Sequence, residues 1–210
     1  MRIRITFAKQ GALRYTGNLD LHKMWERTAR RADLALAYSQ GFHPQPKMQL
    51  AAALPLGFSS RCELIDIRID GRVELESLPK RLQGAVPPGL KILKVEEIDE
   101  TSPPLQTQVI AAEYEITFYE GFDEARFTQS FETVIGAKSL LRERRGKPYD
   151  LRPLIEELRR IDPDAEGRPR LFMRLTSLPS ATGRPEEVLD ALGVVYEDTR
   201  VERSRFIFKE

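Results

Sequence analysis

One order of strand and helix periods runs through this chain twice, and any fold must satisfy it in both places. A period of two puts alternate side chains on opposite faces of a strand. It opens the chain: Ile3, Ile5 and Phe7 alternate with Arg2, Arg4 and Thr6 over residues 2–8. The period then lengthens. Leu21, Trp25, Thr28, Ala29 and Ala32 recur at steps of three and four, the apolar stripe of a helix over 19–32 with Asn18 as its cap. Strands are expected at 47–53 and 62–70. A short helix from Leu75 to Leu82 is stopped by Gly84 and Pro87-Pro88-Gly89, and a strand runs from Leu90 to Val95.

The stretch Asp99-Glu-Thr-Ser-Pro-Pro-Leu then disfavours both helix and central strand. Beyond it the order returns about 105 residues on. Strands are expected at Ala112–Tyr119, Arg170–Thr176 and Val201–Phe208, and helices at Asp123–Val134 and Pro185–Leu192. Residues 138–152 read as a basic hairpin and Pro153–Ile161 as an extra helix. The expected class is α+β: tandem ferredoxin-like (βαββαβ) domains with antiparallel sheets. The first domain is 1–99, a linker covers 100–107, and the second domain is 108–210. A single α+β domain with one large mixed sheet satisfies the same periods.

Charge narrows the function classes. Thirty-three Lys and Arg against thirty-two Asp and Glu leave a net charge of +1, so the chain is no polybasic whole. A nucleic-acid role must come from local patches. Cys62 is the only cysteine, which excludes an internal disulfide framework, a cysteine-ligated iron–sulfur cluster and a four-cysteine zinc site within one chain. Two histidines, His22 and His43, exclude a His-rich metal site, so no metal is expected. No apolar run reaches the roughly 18 residues of a membrane helix, and the first residues lack a signal-peptide core. A cytoplasmic protein without a membrane partner is the expectation.

Two segments concentrate the local charge. On the first helix Lys23, Arg27, Arg30 and Arg31 fall on or near one face, opposite the apolar stripe, and can track phosphates. The alternative is a solvated face whose arginines pair with Glu26 and Asp33. The segment that follows, Leu36-Ala-Tyr-Ser-Gln-Gly-Phe-His-Pro-Gln-Pro-Lys-Met, sets Tyr38, Gln40, Phe42, His43 and Lys47 in a loop stiffened by Pro44 and Pro46. Planar rings among amide side chains suit base stacking and edge recognition. They equally suit a structural turn with Phe42 buried beneath it. In the second half, residues 138–152 hold six cations against two anions. Arg142, Arg144, Arg145, Lys147 and Arg152 can meet a polyanion, or form the solvated tip of a hairpin. Residues 95–132 are the counterweight, ten carboxylates against Arg126 alone, and would repel nucleic acid.

Signatures of catalysis are sparse. Gly57, Ser59 and Ser60 can offer amides to an anion, but no Walker lysine or G-x-G-x-x-G accompanies them. His22 and His43 can act as acid and base in metal-independent RNA cleavage, with Lys23 stabilising charge, only if helix and loop converge.

The run His22-Lys-Met-Trp-Glu-Arg with Ala29-Arg-Arg-Ala, then Leu36-Ala-Tyr-Ser-Gln-Gly-Phe-His-Pro and Ala53-Leu-Pro-Leu-Gly, resembles a radical-SAM-associated protein family of unknown function. That domain occurs alone or fused C-terminal to B12-binding-type radical SAM proteins. The resemblance is strongest over residues 1–70 and continues through Arg-Gly-Lys-Pro-Tyr-Asp-Leu-Arg at 145–152. It implies an accessory role beside a radical SAM enzyme. The iron–sulfur cluster and S-adenosylmethionine are then expected only in that partner, and no cofactor in this chain. Together with the basic segments it suggests a protein that presents tRNA or rRNA. The alternatives are an adaptor that docks on the enzyme without RNA, and an endoribonuclease.

Overall fold

The computed structural model describes residues 1–119 and 122–209. The chain divides into two units, Met1–Gln108 and Val109–Glu210, each with its own core. Both units are α+β, with antiparallel strands on a helix-covered apolar face.

In the first unit β1 (Arg2–Lys9) buries Ile3, Ile5 and Phe7 completely, as the alternation requires. A 3-10 turn, Gly11–Tyr15, leads to α1 (Asn18–Arg31), which buries Leu21, Trp25, Thr28 and Ala29. Trp25 meets Phe7 edge-on, ring centroids 4.8 Å apart. Gly17, not Asn18, is the capping residue. The first turn closes through Leu21 N donating to Gly17 O at 2.9 Å, so Asn18 lies inside the helix. β2 is only Met48–Leu50, shorter than expected, and β3 spans Ser59–Arg68. α2 (Leu78–Ala85) starts later than expected, with a proline in its first turn, and β4 spans Leu90–Ile98. The sheet order is β4-β1-β3-β2, every neighbour antiparallel, with Ile5 opposite both Ile65 and Val95.

Residues 99–108 are fastened to this unit. Arg2 Nη1 donates to the Ser102 carbonyl at 2.6 Å, and Leu105 N donates to Gln49 Oε1 at 2.7 Å. Leu105 is fully buried at the start of α3 (Leu105–Gln108).

The second unit begins with β5 (Val109–Phe118) and α4 (Glu124–Gly136), which Asp123 caps by accepting from Arg126 N at 3.0 Å. β6 (Leu141–Arg144) and β7 (Lys147–Asp150) form the basic hairpin. Its turn residues Arg145 and Gly146 are both left-handed, at φ 51° and 74°, which matches the twist of a two-residue hairpin.

The extra helix expected at Pro153–Ile161 is absent. Arg152–Leu154 is a single 3-10 turn, and Ile155–Ile161 is strand β8. Its Glu, Leu and Arg residues favour a helix intrinsically, but the segment pairs along β9 (Arg170–Leu178) from Ile155↔Leu175 to Ile161↔Arg170. Tertiary pairing overrides propensity here. β10 (Ala181–Thr182), α5 (Pro185–Ala191) and β11 (Thr199–Phe208) complete the unit. The sheet runs β11-β5-β9, with β8 and β10 also on β9, all antiparallel. Its core includes Phe118, Phe127 and Phe131 with Leu171, Met173 and Val188. No helix among the described residues is long and apolar enough to cross a membrane.

Candidate nucleic-acid interface

The face of α1 opposite Leu21, Trp25 and Ala29 carries Lys23, Arg27, Arg30 and Arg31, all exposed. Arg30 is the one held in place. Its Nη2 donates to Glu26 Oε1 at 2.6 Å and to Tyr38 Oη at 2.9 Å. Those partners, the Tyr38 hydroxyl first, hold the guanidinium above its usual pKa. The side chains of Lys23, Arg27 and Arg31 have no hydrogen-bond or ion-pair partner among the described residues, so the expected pairing with Glu26 involves Arg30 alone.

The Arg30–Tyr38 bond ties the helix to the loop over 37–47, which is closed at its base. Lys47 N donates to the Ala37 carbonyl at 2.8 Å, and Ser39 N to the Gln45 carbonyl at 2.8 Å. Gln45 N returns a bond to Ser39 Oγ at 2.9 Å, and Tyr38 pairs with Pro46 as an antiparallel bridge. The chain reverses at Gly41, φ 124°, a backbone conformation that favours glycine. At the tip Phe42 is 102 % exposed, and Gln40 and His43 are exposed beside it. The reading of Phe42 as buried beneath a structural turn is therefore overturned. The loop's own hydrogen bonds hold its shape, and its ring faces solvent.

The two histidines do not form a pair. His22 is half-buried with Nε2 3.4 Å from the Met48 carbonyl, and His43 has no polar partner among the described residues. No cluster of three His, Cys, Asp or Glu that could hold a metal occurs among the described residues. Cys62 is half-buried, its Sγ 3.6 Å from Ser60 Oγ.

Beside the loop's exit lies a cleft of about 420 Å³ lined by Lys47, Gln49, Arg2, Asp66, Arg68 and Ser102. Asp66 accepts from Arg2 Nη2 at 2.7 Å and from Arg4 Nε at 2.7 Å. Arg68 pairs with Glu100, and the Lys47 side chain has no polar partner among the described residues. Lys47 stands out in the sequence, but this cleft does not. The polar positions of β1 were visible in the alternation, but which carboxylate faces them depends on the β1–β3 register. Arg81 does not stand out either: it donates to the carbonyls of Ala32 at 2.6 Å and Asp33 at 3.0 Å, where α1 ends.

In the second unit the basic hairpin is partly neutralised. Arg142 Nη1 donates to Asp190 Oδ2 at 2.8 Å. Burial lifts the Glu187 carboxyl above its ordinary pKa, and Arg144 and Arg142 pull it back. Arg152 is spent on main-chain carbonyls, those of Ala137 at 3.2 Å and Ile155 at 3.1 Å. The side chains of Arg145 and Lys147 at the tip have no polar partner among the described residues. The acidic stretch is not a bare repelling face. Glu113 pairs with Arg174, Glu115 with Arg170 and Glu124 with Arg160, while Glu120 lies outside the described residues.

No curated protein matches this sequence. Among solved structures, the chain aligns with a crystal structure provisionally assigned as a glycine cleavage system transcriptional repressor. That match has 12 % identity and a TM-score of 0.24, and covers 99 % of this chain and 98 % of the other. It also aligns with a crystal structure provisionally assigned as a dyp-type peroxidase of Shewanella oneidensis, at 11 % identity and a TM-score of 0.24, covering 98 % and 91 %. Superpositions that loose carry no argument about fold or function. A family profile described as "Uncharacterized protein conserved in bacteria" matches residues 2–185. That match spans most of the sequence, and the chain belongs to this family, DUF2344.

Proposed function

We propose that this protein is an RNA-binding accessory that presents tRNA or rRNA to a separate radical SAM enzyme. The observation that carries the reading is the pairing of unneutralised cations with a rigid aromatic loop. The side chains of Lys23, Arg27 and Arg31 on α1 have no polar partner among the described residues, and the Arg30–Tyr38 bond joins that helix to the loop bearing Phe42. Phosphates fit the cations, and planar bases fit the loop. Arg145 and Lys147 on the hairpin of the second unit supply a further contact.

We read both units as ferredoxin-like, since each runs strand, helix, strand, strand, helix, strand once the β6–β7 hairpin and the two-residue β10 are set aside. The chemistry belongs to the partner, which would hold the iron–sulfur cluster and S-adenosylmethionine. Docking on that enzyme has its own candidate surface. Tyr15, Leu19 and Leu56 are exposed toward the N-terminal end of α1, where Arg14 and Tyr15 adjoin Gly57.

The test is binding of labelled small RNA at about 50 and 200 mM salt. Neutralising four phosphates of a single strand, with Lys23, Arg27, Arg31 and Lys47, weakens binding about 50-fold over that range. In Arg27→Glu/Arg31→Glu, which leaves two of the four contacts, the loss falls to about 7-fold or less. Both substituted side chains are exposed, so the fold should tolerate them. Absence of binding by the folded wild-type protein at the lower salt overturns the proposal in favour of a protein adaptor.

A further inference from the structure

We infer that the RNA is recognised as an unpaired strand: Phe42 stacks on an exposed base, and Lys47 holds an adjacent phosphate at the mouth of the cleft it lines with Arg68. The inference rests on the RNA-binding reading above and names its substrate class.

Three features of the site select an unpaired strand. Phe42 is fully exposed on a loop whose shape is already set by the Ser39–Gln45 bonds and the Tyr38–Pro46 bridge. Little ordering cost then remains when a ligand covers the ring. A ring held this way needs a free π-face. In an A-form duplex every internal base face is occupied by its neighbours, and the deep major groove is too narrow for side chains to read. A splayed or single-stranded base presents that face and accepts stacking whatever its identity. Gln40 and His43, exposed in the same loop tip, offer an amide and an imidazole for the edge of that base.

The cleft supplies the phosphate contact. Lys47 belongs to both features, since its amide closes the base of the loop and its side chain lines the cleft. Three cations, Arg2, Lys47 and Arg68, line it against one carboxylate, Asp66, and Glu100 pairs with Arg68 from outside the lining. The balance favours an anion, and Lys47 is the cation with no carboxylate already on it among the described residues.

The experiment compares one labelled, unstructured RNA of about 12 nucleotides with the same strand annealed to its complement. The proteins are wild type, Phe42→Ala, Phe42→Tyr and Lys47→Ala. Stacking on one base is worth about 1–3 kcal/mol, so Phe42→Ala should weaken single-strand binding about 5- to 150-fold. Duplex binding should stay unchanged, and Phe42→Tyr should restore most of the loss. Lys47→Ala should lower the single-strand salt slope by about 0.7. Equal affinity for the two forms, or an unaltered Phe42→Ala, overturns the unpaired-strand inference and leaves RNA binding standing. Failure of the folded wild type to bind either form overturns the RNA reading itself.

Discussion

Asp66 is a buried polar residue whose loss should cost the first unit heavily. Its side chain is 5 % exposed, as is that of Arg2, and Arg4 is only slightly more open. It accepts four charge-assisted bonds, from Arg2 Nε at 3.2 Å and Nη2 at 2.7 Å, and from Arg4 Nε at 2.7 Å and Nη2 at 3.0 Å. Removing one partner of a buried ion pair costs about 3–5 kcal/mol, because the remaining charge is left desolvated and unpaired. Asp66→Asn keeps one carbonyl acceptor and should cost about 3 kcal/mol, and Asp66→Ala keeps none and should reach about 5. With a urea slope of about 1–3 kcal/mol/M, the first variant lowers the unfolding midpoint by about 1–3 M. In an Arg4→Ala background the cost of Asp66→Asn should shrink, since one of its two donors is already gone. Because Asp66 also lines the cationic cleft, RNA affinity of the folded Asp66→Asn protein should hold or rise. Midpoint shifts below about 0.5 M for both single variants would refute the reasoning, by showing that the guanidinium groups find water once the carboxylate is gone.

Asp150 accepts from the amides of Leu140 at 2.8 Å and Arg152 at 2.9 Å, and these bonds hold its pKa below the ordinary 3.8. A depressed carboxylate contributes stability that is present above its unfolded pKa and lost as pH falls through the folded one. The Leu140 and Arg152 amide resonances should therefore titrate with a midpoint below the ordinary 3.8, and a midpoint above it would contradict the assignment. Gly89 adopts φ 94°, and a Cβ there would lie 2.7 Å from the Gln10 carbonyl. Gly89→Ala should destabilise by more than about 1 kcal/mol, measured by thermal melting, whereas Gly84→Ala, with open space around it, should not.

Much of the architecture was legible because burial imposes its period on the residues. Ile3, Ile5 and Phe7, or Leu21, Trp25 and Ala29, announce which face is covered whatever covers it. The β8 segment was not legible. Pro153 followed by Glu, Leu and Arg reads as a helix start, and only the pairing with β9 makes it a strand. The candidate site divides in the same way. Its cations and loop residues stood out as types at a spacing. Whether Phe42 lay in or out, and whether Arg30, Arg142 and Arg152 were free or engaged, depended on contacts with residues up to 48 positions away.

The sequence alone determined the alternating strands, the amphipathic α1 and the basic character of the 138–152 hairpin, since each follows from residue type and local spacing. The tertiary structure decided which charges are neutralised. Pairing Asp66 with Arg2 and Arg4, and Asp190 with Arg142, while leaving Lys23, Arg27, Arg31 and Lys47 unpaired among the described residues, requires strand register and helix placement. Coulomb attraction and hydrogen bonding act over a few ångströms of space and take no account of distance along the chain.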